Sequence, residues 1–492
     1  MKNHPIPTEI VKIVETLEKA GFEAFLVGGC TRDVLLGKTP KDWDITTNAT
    51  PDEITPLFPK SFYENSYGTV GVVNEEVQDE SLRIVEVTPY RLESSYTDFR
   101  HPDKVHFSKS IEDDLKRRDF TINAIAVNLS NGAIKDVVDL FGGLKDIKDK
   151  IIKTVGNPHD RFSEDALRMI RAVRLATELG FMINNETETA ILSHGKLLKE
   201  ISVERVRDEF VRILMSNDPK EGLETLKKLD ILQYIVPELT STYKVSQNQA
   251  HAYDVWEHLL RTVQHAADKN WDLEVRLTAL FHDISKPETK RISHETNQIT
   301  FYGHEVVGSR VTKKILERLK FPNKTIEKVV KMVRWHMFFS DTATITLSAV
   351  RRMINNVGRE NIWDLMNVRV CDRIGTGRPK ENPYRLRKYK SMIEEALRDP
   401  ISVNMLKIDG KRIMEVTHVT PGPKIGLTLH ALLEEVLENP NLNNEKYLEN
   451  RANELINLPE TELKKLGETA KIKKEQVEQE NIKEIQKKYH VS

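Results

Sequence analysis

Cysteine is almost missing from this chain: Cys30 and Cys371 are the only two among 492 residues. Two thiols exclude a disulfide scaffold and a cysteine zinc cluster, and they fit a reducing compartment. Long hydrophobic runs are missing too. None approaches a membrane span, and the opening MKNHPIPTEIVKIVETLEK has the pattern of an amphipathic helix rather than a signal peptide. A surplus of charge is also lacking, because 74 basic residues face 75 acidic ones for a net charge of −1. Any site for a polyanion must therefore come from local clustering. These absences predict a cytoplasmic protein that does not enter membranes. At 39% hydrophobic and 30% charged residues, a chain of this length exceeds one core and suggests three or four domains.

Organisation changes along the chain. Residues 1–150 mix helix and strand, with AFLVGG, WDIT, TVGVV, RIVEVTPY and AIAVN as short strands, and the strand candidates stop near Thr154. From SEDALRMIRAVRLATELG onward the periodicity is helical, punctuated by Gly180, Gly222 and Pro237. Histidines accumulate after Gln247: His251, His258, His265, His282, His294, His304 and His336. Arg373 to Arg385, RIGTGRPKENPYR, reads as a linker, and the chain closes on a Lys/Glu-rich helix whose simplest role is a solvated face. The expected class is α+β, with boundaries near 150, 245 and 380.

The most informative stretch is LVGGCTRDVLLGKTPKDWDITTNATP, Leu26 to Pro51. On a strand, alternate residues face one side, so Asp42 and Asp44 present two carboxylates together. Gly28 and Gly29 precede them and let backbone N–H groups approach a phosphate, and the helix that follows favours negative charge at its start. Arg32 supplies a fork donor for phosphate. This is the minimum equipment for a divalent metal site that handles a nucleoside triphosphate. Glu86, between Val85 and Val87 in RIVEVTPYR, faces away from its apolar neighbours and is a candidate third carboxylate. An exposed glutamate on an edge strand explains it equally well.

The order GG, DxD, then a glutamate between apolar residues resembles the DNA polymerase beta nucleotidyltransferase superfamily. Leu26 to Pro51 is more specifically similar to the class II tRNA nucleotidyltransferases, the CCA-adding enzymes, and their poly(A) polymerase relatives. RRDFTINAIA, Arg117 to Ala126, resembles the second motif of that family, in which Arg118, Asp119 and Asn123 organise triphosphate and sugar. RLESSYTDFRHPDKVHF, Arg91 to Phe107, resembles the flexible loop of the CCA-adding branch, SEDALRMIRAVRLA the base-reading motif, and ERVRDEF, Glu204 to Phe210, the last neck motif. The resemblance implies a polymerase-beta-like head at 1–150 and a helical neck and RNA-binding region at 151–245. The partners it implies are the tRNA 3′ end, CTP and ATP, with Mg²⁺ at Asp42 and Asp44.

Base choice has a chemical logic. Glu164, Asp165, Arg168, Arg171 and Arg174 are predicted on one helix, with Asp165 and Arg168 neighbours three apart. An Asp–Arg pair offers one acceptor and one donor fork. Cytosine and adenine both present an amino donor beside a ring-nitrogen acceptor, whereas uracil and guanine present the reverse. A mismatched buried polar group costs ~1–3 kcal/mol, roughly ten- to a hundred-fold per contact. An ordinary surface ion pair between Asp165 and Arg168 is the plainer alternative. Arg171 and Arg174 continue the stripe, either to bind triphosphate or to pair with acids.

His258, His282-Asp283 and Asp372 have the order of an HD-type metal phosphohydrolase, and RLTALFHDISKP, Arg276 to Pro287, resembles its central motif on a helix ending at Pro287. Ser285 stands where that family usually has glycine. Imidazole and carboxylate suit Mn, Fe, Ni, Zn or Mg, and His304 and His336 are candidates for a second metal or for phosphate. Some tRNA nucleotidyltransferases carry such a domain, expected here at 246–380, followed by a helical region at 381–492. In that last part Gly422-Pro423-Lys424 opens an amphipathic helix that either touches phosphate or caps a bundle. The expectation is CCA addition to tRNA with a possible HD phosphohydrolase activity. The alternatives are an A-adding enzyme or poly(A) polymerase, an inactive RNA-binding protein, and an HD hydrolase with a vestigial head.

Overall fold

The computed structural model describes residues 5–63, 68–75, 77–94, 104–247, 252–294, 297–337, 345–397, 403–464 and 466. The chain divides into two compact units, Met1–Thr240 and Ser241–Ser492.

In the first unit, helix α1 (Thr8–Lys19) buries Ile10, Ile13, Val14 and Leu17, the i, i+3, i+4, i+7 spacing of one helical face. The strands are β1 (Ala24–Leu26), β2 (Asp44–Thr47), β3 (Ser61–Tyr63), β4 (Val70–Val73), β5 (Ile84–Pro89), β6 (Arg91–Ser94), β7 (Lys104–Phe107), β8 (Ile125–Ser130) and β9 (Ala133–Asp139). Seven form one sheet in the order β3-β4-β5-β2-β1-β8-β9, and β6 pairs with β7 separately. Only β2 and β5 run parallel within the large sheet. Ile45, Val70, Val72, Val85 and Val87 join the α1 residues in one apolar cluster. Each such side chain contributes ~1.5–3 kcal/mol when fully buried. Alternation then turns Asp44, Glu86 and Gly71 to the opposite face.

The sequence missed some strands. Ala133–Asp139 buries none of its residues and lacks clean alternation, so it gave no period-two signal. Strand pairing also continues past Thr154, because Ile151–Ile152 pairs with Met182–Ile183. Most of the expected flexible loop, residues 95–103, lies outside the described residues, although its flanks pair as β6 and β7.

The expected single helix at 164–174 is two. One spans Pro158–Glu164 and the next Leu167–Leu179, with Asp165 extended between them at φ −141° and ψ 104°. The Asp165 carboxylate accepts the Leu167 N–H at 3.0 Å, a local bond that competes with continuing the helix. Gly180 ends the second helix in the left-handed conformation. Gly222 is a packing glycine, since a Cβ there would lie 2.5 Å from Ile213 Cγ2.

The second unit is helical, with Val255–Asp268, Leu273–Phe281, His304–Arg318, Asn323–Trp335 and Ile362–Gly375 carrying the histidine-rich part. Its motif helix ends at Phe281, not at Pro287, and Pro287 instead sits in the first turn of the short helix Lys286–Thr289. The N–H groups of a helix's first turn have no partner within the helix, so proline costs little there. The linker is shorter than expected, because Ile362–Gly375 and Tyr384–Ala396 intrude from both sides. One apolar cluster runs from Met332 through Ile362, Tyr389 and Leu432 to Leu463, across the position expected for a boundary near 380. Pro423 opens the helix Pro423–Glu438 behind Gly422. His251 and the Lys/Glu-rich end from 467 onward lie outside the described residues.

Candidate functional site

Gly28 is the first residue of helix α2 (Gly28–Leu35) and has φ +73°, which favours glycine. Space demands glycine as well: a Cβ there would stand 3.1 Å from Asp44 Oδ2 and 3.2 Å from Arg118 Nη1. At Gly29 it would stand 3.8 Å from Arg32 Nη2 and 4.0 Å from Asp42 Oδ1. Two carboxylates and two guanidiniums therefore surround the glycine turn. Asp42 stands on the bend ahead of β2 rather than on the strand, so strand alternation accounts only for Asp44. Buried Trp43 keeps the two acids on the outer side. The Glu86 N–H donates to the Trp43 carbonyl at 3.2 Å, which stitches β5 to this segment. Glu86 itself is the register partner of Asp44 and is exposed, so the structure brings these two acids side by side on the open face.

A chain of hydrogen bonds and ion pairs ties the glycine turn to the neck. Arg32 Nη1 donates to Asn123 Oδ1 at 2.9 Å, and Asn123 Nδ2 donates to Asp119 Oδ1 at 3.3 Å. Asp119 Oδ2 accepts a fork from Arg171, Nε at 3.0 Å and Nη2 at 2.6 Å. Burial opposes the Asp119 charge, but Arg171 outweighs it and holds the carboxyl far below the usual carboxylate range. Arg171 also faces Glu209 at 3.8 Å, and Arg174 pairs with Glu209 and, at 2.7 Å, with Glu178. So Arg171 and Arg174 pair with acids. Arg118 is anchored by Nη2 to Asp114 Oδ2 at 2.8 Å, and Arg117 shares that fully buried carboxylate. Burial works against the Asp114 charge, yet the two arginines bring its pKa down to about 2.

Asp165 and Arg168 do not pair with each other through their side chains. The Asp165 carboxylate accepts from Arg205 Nη2 at 2.7 Å, while Arg168 Nη1 lies 2.7 Å from Glu164 Oε2. Arg168 Nη2 also donates to the Arg117 carbonyl at 3.2 Å, which sets this buried guanidinium against the head. The break at Asp165 is the physical reason, because it removes the three-residue helical spacing. Arg205, Glu209 and Asp114 are the residues that sequence reasoning left without a role. For the first two, the signal was the four-residue spacing of Arg205 and Glu209 on the helix Val203–Met215.

The second unit gathers the histidines. His258, His282, Asp283, His304, His336 and Asp372 are each at most 8% exposed. His258, His282 and Asp372 form one group, and Asp283, His304 and His336 another, with the ligand atoms of each group within 4.8 Å of one another. Asp283 reaches both. Its Oδ2 is 3.2 Å from His258 Nε2 and from His282 Nε2, and its Oδ1 is 3.1 Å from His304 Nε2.

The Nδ1 atoms of His282, His304 and His336 lie 2.9, 2.8 and 2.7 Å from the carbonyls of Ala279, Phe301 and Val333. A carbonyl only accepts, so Nδ1 carries the proton and the lone pair sits on Nε2. Yet His304 and His336 face each other Nε2 to Nε2 at 3.3 Å, and His258 and His282 do so at 3.0 Å. The facing lone pairs of His304 and His336 fit a cation between them. Burial disfavours imidazolium, but Asp283 and Asp372 push His282 up to about 10, so these two carboxylates draw positive charge into the cluster and a metal ion there would compete with a proton for His282 Nε2. The donor set, imidazole plus carboxylate, suits a divalent ion. Lys286, three residues after Asp283 and unremarked in the sequence, lies 2.6 Å from Asp283 Oδ2 and donates to Gln247 Oε1 at 2.6 Å. Among the described residues these are the groups so tightly convergent; the three head carboxylates are more open.

Comparison with known proteins agrees with this division. A family model described as a poly A polymerase head domain matches residues 24–153. One described as a probable RNA and SrmB-binding site of polymerase A matches 180–242, and the HD domain matches 255–377. Head domains of this kind and HD domains generally use divalent metals. The chain is 33% identical over 430 residues to the CCA-adding enzyme of Lactiplantibacillus plantarum, covering 86% of this chain and 90% of that protein. It is 32% identical over 470 residues to the CCA-adding enzyme of Leuconostoc mesenteroides, covering 93% and 99%. The crystal structure of the Bacillus stearothermophilus CCA-adding enzyme in complex with CTP superposes with a TM-score of 0.67 at 26% identity, covering 91% of this chain and 96% of that one. With relatives matched over nearly their whole length, the chain belongs to the CCA-adding enzyme family.

Proposed function

We propose that this protein adds C, C and A to the 3′ end of tRNA from CTP and ATP, without a nucleic-acid template. The observation that carries the reading is the register of Asp44 beside Glu86 on the open sheet face, next to the Gly28–Gly29 turn and Arg118. A poly(A) polymerase or an A-adding enzyme is not favoured, since the relatives named above are CCA-adding enzymes. Both thiols are buried and unpaired with each other, which suits a cytoplasmic enzyme.

The reaction joins the ribose 3′-oxygen to the α-phosphorus of the incoming nucleotide, breaks the bond to pyrophosphate, and releases the hydroxyl proton. Asp42, Asp44 and Glu86 are the oxygen ligands for divalent ions, for which Mg²⁺ is our assignment. Bound between these carboxylates, such ions would lower the pKa of the attacking hydroxyl and neutralise the leaving pyrophosphate. The residues of the chain do the positioning. Gly28 and Gly29 open the start of α2 to the phosphates, and Arg118, braced by Asp114, and Arg32, braced by Asp33 and Asn123, direct positive charge at them.

Asp165 and Arg168 read the base in this proposal: the carboxylate takes the exocyclic amino group and the guanidinium donates to the ring nitrogen. Arg205 and Glu164 hold the two groups when no base is present. Asp119–Arg171 fixes the reading helix against the head, and Glu209–Arg174 fixes it to the neighbouring neck helix Val203–Met215. The test is incubation with tRNA lacking one, two or three terminal nucleotides and single nucleotides in turn. C, C, then A is expected; A alone or a long A tail overturns the reading.

The HD groups favour a second activity, metal-dependent hydrolysis of a phosphoester at an RNA end or on a nucleotide. Asp283, with one oxygen in each group, is the observation behind it. Phosphatase and cyclic phosphodiesterase assays of the full chain with Mn, Ni, Fe, Zn and Mg test it, and inactivity with all five ions removes it.

A further inference from the structure

The open face of the sheet continues past Glu86. Gly71 of β4 is the register partner of Glu86, and Phe62 of β3 is the register partner of Gly71. Asp44, Glu86, Gly71 and Phe62 thus form one row across four strands, on the face opposite the apolar cluster. A Cβ on Gly71 would lie 2.6 Å from Phe62 Cζ and 2.8 Å from its Cε1. The Phe62 ring therefore lies over Gly71, within one strand spacing, about 5 Å, of Glu86. Gly71 is buried beneath it, yet the ring stays 41% exposed. Exposure alone says little about such a ring; its place does, because it lies at the end of the row of carboxylates with part of its surface open to a ligand.

The sheet order says what covers it. In β3-β4-β5-β2-β1-β8-β9, the glycine turn follows β1, and Arg118 and Asn123 lie just ahead of β8. Asp165, Arg168 and Arg171 join the head at Arg117 and Asp119, on that same side. The nucleotide machinery thus occupies the β1/β8 side of Asp44. The attacking ribose must come from the other side, over Glu86, and there its base meets Phe62. Single-stranded RNA ends bind proteins by stacking bases on aromatic side chains.

Resting on the activity proposed above, we infer that Phe62 stacks against the terminal base of the tRNA 3′ end and positions its ribose over Glu86. Gly71 is required because a Cβ there would displace the ring.

The test uses the full chain and tRNA lacking its last nucleotides. Phe62→Leu keeps apolar cover on Gly71 but removes the π face. Its KM for tRNA should rise roughly 5- to 100-fold, while the KM for CTP stays within about twofold. Phe62→Trp should restore the KM for tRNA. Gly71→Ala, which displaces the ring, should behave as Phe62→Leu does. A tRNA ending in 2-aminopurine should lose fluorescence on binding the parent and Phe62→Trp proteins, but not Phe62→Leu. If Phe62→Leu leaves the KM for tRNA unchanged, or raises the KM for CTP equally, stacking by Phe62 is wrong and the CCA reading stands. If the parent chain extends no tRNA, the CCA reading itself falls and takes this inference with it.

Discussion

Arg205 Nη2 lies 2.7 Å from Asp165 Oδ2, so the acid we propose as acceptor of a base's amino group already has a guanidinium on it. The pair is half-open, with side-chain exposures of 26% and 15%, so a ligand donor can compete for the carboxylate without dismantling a core. Arg205 then does more than hold a helix: it keeps the Asp165 carboxylate aimed between the two neck helices.

Asp165→Ala and Arg168→Ala should each relax nucleotide choice. The ratio of kcat/KM for CTP over UTP should fall roughly ten- to a hundred-fold, because the mismatch that rejects uracil disappears with the reading group. Single-nucleotide extension assays measure this. Arg205→Ala should loosen the same ratio by less, since Asp165 remains but is no longer aimed. Unchanged rejection of UTP and GTP by the first two variants would remove base reading by this pair.

Arg171→Ala leaves the Asp119 carboxylate, 10% exposed, without its fork donor. Uncompensated buried charge is costly, and with Arg171 itself 36% exposed we expect a loss of roughly 2 kcal/mol in denaturant unfolding. Arg171→Lys should recover part of it, because a point charge replaces the fork. Urea melts of both variants check the order.

The acid limb of stability should carry a signature of Asp114. Its folded pKa, about 2, lies below the ordinary 3.8, so its contribution is present above pH ~4 and is lost as pH falls toward 2. The shift corresponds to roughly 2 kcal/mol. Asp114→Asn should be less stable at pH 7 and should lose less between pH 4 and pH 2 than the parent, as read by unfolding at each pH.

Much of the head was legible because its chemistry is local in sequence. The glycine turn, Asp42, Asp44 and Glu86 fall where strand alternation and turn chemistry put them, apart from the bend that takes Asp42 off β2. Position 165 was not legible, because a backbone break inside an otherwise helical pattern depends on one side-chain bond to Leu167 and on a partner 40 residues away, Arg205. Strand β9, which buries none of its residues, escaped for lack of alternation. In the second unit the ligand order was readable, but the division of Asp283 between two groups depends on how His304 and His336 return to it. The apolar cluster that joins Met332 to Leu463 is built from contacts far apart in sequence, which no local pattern shows.

The HD groups should bind metal stoichiometrically in the full chain. His282→Ala and Asp283→Ala should each lower the metal content measured by mass spectrometry, and Asp283→Ala should lower it most because that carboxylate reaches both groups. Chelation should lower the melting temperature of the parent and leave that of Asp283→Ala nearly unmoved. Equal metal content in parent and variants would contradict a metal centre there.

The central claim concerns the acids beside the glycine turn, and the joint replacement Asp42→Asn with Asp44→Asn tests it most directly. The measurement is the rate of 3′ extension of tRNA lacking its CCA end, at saturating CTP and ATP with Mg²⁺, in protein shown by its melting curve to be folded. The account predicts a loss of at least about a thousand-fold with tRNA binding retained, because the carboxylates that hold the ions are gone. Extension within tenfold of the parent rate would contradict it.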